Sequence, residues 1–151
     1  MVFEILITLS VGALGIFLGA QITEGVLFVP YWKDLPPKDF FEFYKRYGKK
    51  IHQFFAPLTI LATFLPLLSL VYGFFMNIPD KISLVITVVF AVLFFSTYYL
   101  YFKHTNKKFA EASIPDNELA AELTRWGNWH WGRTACELIA FTSAMATLIN
   151  L

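Results

Sequence analysis

Residues 82–102, ISLVITVVFAVLFFSTYYLYF, contain no Asp, Glu, Lys or Arg. A helix crosses a hydrocarbon core with roughly 20 apolar residues, so this stretch by itself predicts a membrane span. Three further uncharged stretches, residues 5–23, 51–79 and 138–151, repeat the signal with help from their flanks. Together they predict an all-α polytopic membrane protein, an antiparallel four-transmembrane-helix bundle forming a single domain over residues 1–151. The helices are expected near 3–30, 51–75, 82–104 and 128–150. Composition agrees: 57% of residues are hydrophobic and 15% charged, whereas an ordinary soluble domain is about 25% charged. No room remains for a separate soluble domain, and no nucleic-acid partner is expected.

Charge placement orients the chain. With four alternating spans, eleven of the twelve Lys and Arg residues fall at one face, and Lys81 alone falls at the other. The positive-inside rule makes that face cytoplasmic. A multi-pass cell-membrane protein is expected, with both termini outside and the longer loops in the cytoplasm. The N-terminal stretch is read as a retained helix and not a secretory signal, since Glu4 replaces the basic n-region and no clear A-x-A site follows. On that helix Thr8, Gly12, Gly15 and Gly19 form a small-residue stripe suited to close packing, opposite a face of Leu14, Phe17, Gln21, Glu24 and Phe28.

Between the first two spans, LPPKDFFEFYKRYGKK (residues 35–50) repeats Phe40, Phe43, Tyr44 and Tyr47 at helical spacing among charged residues. This predicts an interfacial amphipathic segment lying in the headgroups with its aromatic face down, or one running straight into helix two. Pro57 and Pro66 lie in that helix, and a bend is expected near Pro66. The short turn MNIPDK, residues 76–81, makes helices two and three antiparallel neighbours. Ser113 and Asp116 mark the start of a short helix leading to Trp126 and Trp129. Cys136, the single cysteine, is expected to be an inert packed thiol.

Threading the four spans back and forth brings Glu24, His52, His104, and His130 with Arg133 to the cytoplasmic level. Glu137 lies deeper, about 10 Å of helix rise beyond His130. A lone carboxylate there costs about 2.5 to 3.5 kcal/mol on insertion scales, so it should face protein. Arg133, four residues earlier, is its expected partner, as a structural ion pair or as part of a binding site. Several chemistries fit this cluster. His52, His104, His130 and Glu24 are candidate metal ligands, and two of the histidines could be axial haem ligands. A third reading needs no cofactor: His52 or His130 acts as general base, Arg133 holds the resulting oxyanion, and aromatic residues flank a flat lipophilic substrate that has partitioned into the membrane lipids.

Three stretches carry a resemblance: GVLFVPYWKDLPPKDFFEFYKRYGKKIHQFFAP (residues 25–57), YFKHTNKKFAE (101–111) and WGNWHWGRT (126–134). The chain from Gly19 to Leu151 resembles the anthrone-oxygenase-like family of small four-helix integral membrane proteins. The family's exit proline, the asparagine of its Pro-x-Asn and the ends of its Trp-Asn-x-x-Arg fall on Pro30, Asn106, Trp129 and Arg133. His104 and His130 stand where the family has proline and asparagine. The resemblance implies oxidation of an anthrone-like substrate by dioxygen without an evident cofactor. The expected catalytic residues are then His130, His52, Arg133 and Asn106, with Glu24, Trp32, Trp129, Glu137 and Gln21 binding the substrate. The competing expectation is a non-enzymatic membrane module that binds a lipid, quinone, haem or metal, or an accessory subunit of another membrane protein. Transport and a homo-oligomer complete the possibilities.

Overall fold

The computed structural model of the protein describes residues 1–78 and 81–151, which are helical almost throughout. Four long rods make it up. The first, Val2–Asp34, consists of α1 (Val2–Thr23), a wide π-helical turn (Glu24–Phe28) and α2 (Val29–Asp34). The second is α3, Pro37–Phe75. The third, Lys81–Ala110, joins α4 (Lys81–Thr97), a second π turn (Tyr98–Phe102) and α5 (Lys103–Ala110). The fourth is α6, Asp116–Ile149. The first rod packs on the second and fourth, and the third packs on the same two.

The first three rods are long and apolar enough to cross a membrane. The fourth, expected as a span, falls outside that set, because Arg133 and Glu137 dilute its apolar stretch. Large apolar side chains cover much of the outer surface, among them Ile16, Phe64, Leu68 and Val89. Water penalises such a surface and a hydrocarbon environment does not.

Every rod is longer than its uncharged core, because helical backbone bonds persist into flanks that hydropathy does not mark. Pro30 does not end the first helix, which continues to Asp34. The expected short helix at Ser113 is absent as a separate element. Pro115 instead caps α6, which then runs unbroken through Trp126 and Trp129. The segment at residues 37–50 is the first part of α3, which passes through Pro57 and Pro66 without ending. Its aromatic side faces protein and not headgroups: Phe40 and Tyr44 are buried against Phe109, with ring centroids 5.0 and 5.4 Å away. In the turn after α3, Asn77 takes a left-handed φ of 55°, while Pro79 and Asp80 lie outside the described residues.

Two apolar clusters stack along the rods. One, built on Phe3, Ile7, Leu14, Phe17, Phe94 and Ala140, fills the half nearer the chain termini. The other is aromatic and joins Trp32, Phe40, Tyr44, Phe102, Phe109 and Trp126. Between them lies a buried polar layer of Gln21, Glu24, His130, Thr134 and Glu137. Nearer the termini the Ser10 and Ser69 hydroxyls share a bond of 2.9 Å between the first two rods.

The expected glycine stripe is not a packing face, since nothing approaches Gly12 or Gly19 and only Gly15 meets a neighbour, Phe141. The opposite face packs through Leu14, Phe17, Gln21 and Glu24, but Phe28 is exposed and Val29 and Trp32 are buried in its stead. The π turn explains the slip: its bond from the Val29 N–H to the Glu24 carbonyl spans one extra residue and advances the buried face by one position. Inside that turn Gly25 is required by close approach, since a Cβ there would lie 2.7 Å from Trp131 Cζ2 and 3.1 Å from His130 Nε2. Gly25→Ala should therefore destabilise the protein by about 1–3 kcal/mol, the usual cost of overpacking. Gly19→Ala should be neutral or better. Thermal melts of the two variants in detergent would check the contrast.

Candidate functional site

The site begins at the two π turns, which stand at the same level in the first and third rods and face the fourth rod between them. The first presents Glu24 and the second presents Phe102. Arg133 of α6 meets both: its Nη2 lies 3.2 Å from Glu24 Oε2, and its Cζ sits 4.0 Å from the centre of the Phe102 ring. Both side chains of the ion pair are largely withdrawn from the surface, Glu24 at 4% and Arg133 at 13% exposure. In such surroundings the attraction is strong, but so is the cost of losing either partner.

The same guanidinium nitrogen lies 3.2 Å from His130 Nδ1, and His130 Nε2 lies 2.8 Å from the backbone carbonyl of Gln21. A carbonyl only accepts, so Nε2 carries the proton and Nδ1 offers its lone pair to Arg133. The ring is thus neutral, and its 3.5 Å approach to Glu24 is two acceptors sharing one donor. That carbonyl lies at the start of the wide turn, where it also receives the Glu24 N–H, so it accepts from both. Trp126 stacks on His130 with centroids 5.2 Å apart and planes 9° from parallel.

Glu137, expected to pair with Arg133, does not. Both of its carboxyl oxygens are buried without a hydrogen-bond partner. Helical side chains lean toward the N-terminus of their helix. Arg133 therefore reaches back toward His130, where Glu24 meets it, and away from Glu137 one turn ahead. Gln21 stays on the same inner side, its Oε1 receiving the Thr134 hydroxyl at 3.3 Å.

A cavity of about 520 Å³ adjoins this layer. Glu24, Trp32, His52, Asn106 and Arg133 of the expected site line it, together with Tyr44, Phe55, Tyr98 and Trp126. His52 stacks on Tyr98 at 6.0 Å. Asn106 is oriented by Trp126, whose indole N–H donates to Oδ1 at 2.9 Å. Because indole is only a donor, the Asn106 NH₂ is the group left over for another partner.

Other expected members are elsewhere. His130 is fully buried behind the wall with both nitrogens engaged, so it is neither a free base nor an available metal or haem ligand. His104 is exposed, as is His52, but unlike His52 it does not line the cavity. Trp129 stacks on Tyr101 at 5.1 Å and borders a separate small hollow. The proposed metal set of His52, His104, His130 and Glu24 is therefore not assembled. Among the described residues, no group of three or more His, Cys, Asp or Glu is placed to hold a metal ion. The alternating threading expected from the sequence sets the level of these histidines along the rods but cannot fix their direction around each helix. Trp126 was missed, although it stands four residues before His130 and extends the 130, 133, 137 stripe. Tyr44 and Phe102 carry no such signal, since their roles depend on which rod faces which.

No family model, curated protein or solved structure matches this chain.

The ion pair has a direct test. Arg133→Leu should cost about 3–5 kcal/mol by stranding a buried carboxylate, whereas Glu24→Leu combined with Arg133→Leu should recover most of that loss. Unfolding in detergent, measured for both single variants and the double, would reveal the recovery. Additive losses would show that the two groups do not depend on each other.

Proposed function

We propose that the protein is an antiparallel bundle of four transmembrane helices, with α6 as the fourth. In this reading it oxidises a lipophilic aromatic molecule taken from the bilayer, in the manner of the anthrone-oxygenase-like proteins it resembles. One observation carries the reading: a single imidazole, His52, shares an aromatic-walled cavity with the N–H donors of Asn106 and Arg133. A fourth span containing Arg133 and Glu137 is tolerable in lipid because both turn toward the other rods and not outward. Glu24 meeting Arg133, and Ser10 meeting Ser69, fit opposed directions in neighbouring helices.

The chemistry requires a ring CH₂ whose C–H is made acidic by conjugation, through the flanking aromatic rings, with a carbonyl across the ring. His52 removes the proton, and the charge delocalises onto the carbonyl oxygen. Asn106 and Arg133 stabilise it there through N–H groups already in place. The electron-rich ring then reacts with dioxygen. A ring CH₂ becomes C=O, one oxygen atom enters the product and the other leaves as water with the two hydrogens, so no external reductant is needed. His130 acts as a positioning residue, holding Arg133 from behind.

A second reading has its own support. The Arg133 charge is already neutralised by Glu24, as suits a module that binds a quinone or lipid without reacting. Oxygen uptake by the purified protein with an anthrone substrate separates the two. For the enzyme, His52→Ala should lower turnover by about 10²–10⁴-fold, the usual range for losing a general base, with little change in melting temperature. Binding without oxygen uptake in the wild type would leave the module. The topology has a separate check with an impermeant maleimide on a Cys136→Ser background. Lys45→Cys and Glu111→Cys should react only in opened membranes, and Asn77→Cys should react in intact cells. Position 45 reacting from the same compartment as 77 would overturn the threading.

A further inference from the structure

The cavity is long and differs at its two ends. Along α3 its wall runs from His52 through Phe55 and Thr59 to Phe64, a helix rise of about 18 Å. Spread over that rise, the volume of about 520 Å³ gives a mean cross-section of about 30 Å², room for one chain or one ring on edge. A ring system at the polar end fills only part of this length. At the other end stand Ile60, Phe64, Phe95 and Tyr99. Ile60 and Phe64 are half exposed on the outer apolar surface, so this end opens between the second and third rods.

The polar end has donors but no spare positive charge. Arg133 is committed to Glu24, whose carboxylate itself lines the wall. A phosphate or carboxylate, fully charged before it binds, would lose its hydration beside an ion pair that offers no net positive charge in return. An uncharged carbonyl or hydroxyl escapes that charge penalty, and it would accept from the Asn106 NH₂, which Trp126 leaves over. Trp32 and Arg133 line the same end, their indole N–H and Nε–H withdrawn into the wall without a hydrogen bond. The Asn106 NH₂ stands beside them on the same cavity.

Building on the reading of this cavity as a ligand site, we infer that its ligand is an uncharged, oxygen-bearing ring with one hydrocarbon tail. The ring lies against Trp32, Asn106 and Arg133. The tail follows α3 past Thr59 toward Phe64 and Phe95, entering from the bilayer between the second and third rods.

The test uses the purified protein in nanodiscs and the quenching of its tryptophan fluorescence by a methoxylated benzoquinone, with and without a decyl tail, at fixed quinone-to-lipid ratios. Both quinones should quench. Thr59→Trp, which plugs the channel beyond the ring, should weaken the decyl quinone about tenfold, or 1.4 kcal/mol, and leave the tailless one unchanged. Leu93→Trp, on the exposed outer face, controls for the added fluorophore, and Thr59→Phe serves if the larger variant fails to fold. Equal effects on both quinones, or none on either, would overturn the tail. Competition by a single-chain phospholipid as effective as the decyl quinone would overturn the uncharged head. Absence of quenching by either quinone would remove the ligand site itself, and the proposed function with it.

Discussion

The arrangement depends on one buried ion pair, Glu24 with Arg133. In a low-dielectric interior neither charge is tolerable alone, so the two rods that carry them must meet at that level and in that rotation. His130 adds a third constraint by joining the Arg133 side chain to the backbone of the first rod through Gln21. Aromatic rings close around the pair, with Phe102 under the guanidinium and Trp126 against the imidazole. This polar knot divides the terminal apolar cluster from the aromatic one and gives the cavity its polar end.

The π turns make the knot possible. Each adds a residue to a helical turn and rotates the rest of the rod relative to what precedes it. In the first rod this brings Val29 and Trp32 to the inside while keeping Glu24 buried. In the third it supports Phe102 beside Arg133. Irregular backbone in an apolar interior is stable only where its polar groups are satisfied within the protein, and the Gln21 carbonyl accepts both the Glu24 N–H and the His130 Nε2–H.

Function, on the reading proposed, follows from dividing labour between two histidines. One is consumed by structure: the His130 nitrogens face a backbone carbonyl and an arginine, so its value lies in holding Arg133 still. The other, His52, stands on the cavity wall against Tyr98 and keeps its chemistry available. Asn106 shows the same economy, with Trp126 occupying its oxygen and leaving its amide hydrogens for a ligand.

Much was legible in the sequence because hydropathy and charge act over whole segments. Three of the four uncharged stretches fall in helices long and apolar enough to cross a membrane, and the threading of the chain placed Glu24, His130 and Arg133 at a common level. Gln21 stands on the face opposite the glycine stripe, as its spacing with Leu14, Phe17 and Glu24 predicts, but it is that face and not the stripe that is buried. Depth, however, is a one-dimensional quantity. Whether a side chain at that depth turns inward depends on helix rotation, which the extra residue of each π turn alters and which no periodicity in this sequence announces. Only the tertiary structure therefore separated His52 from His104, gave Arg133 to Glu24 and not to Glu137, and turned Phe40 and Tyr44 into the protein. Those choices arise where rods touch, through the cost of an unpaired charge and the shape of aromatic rings.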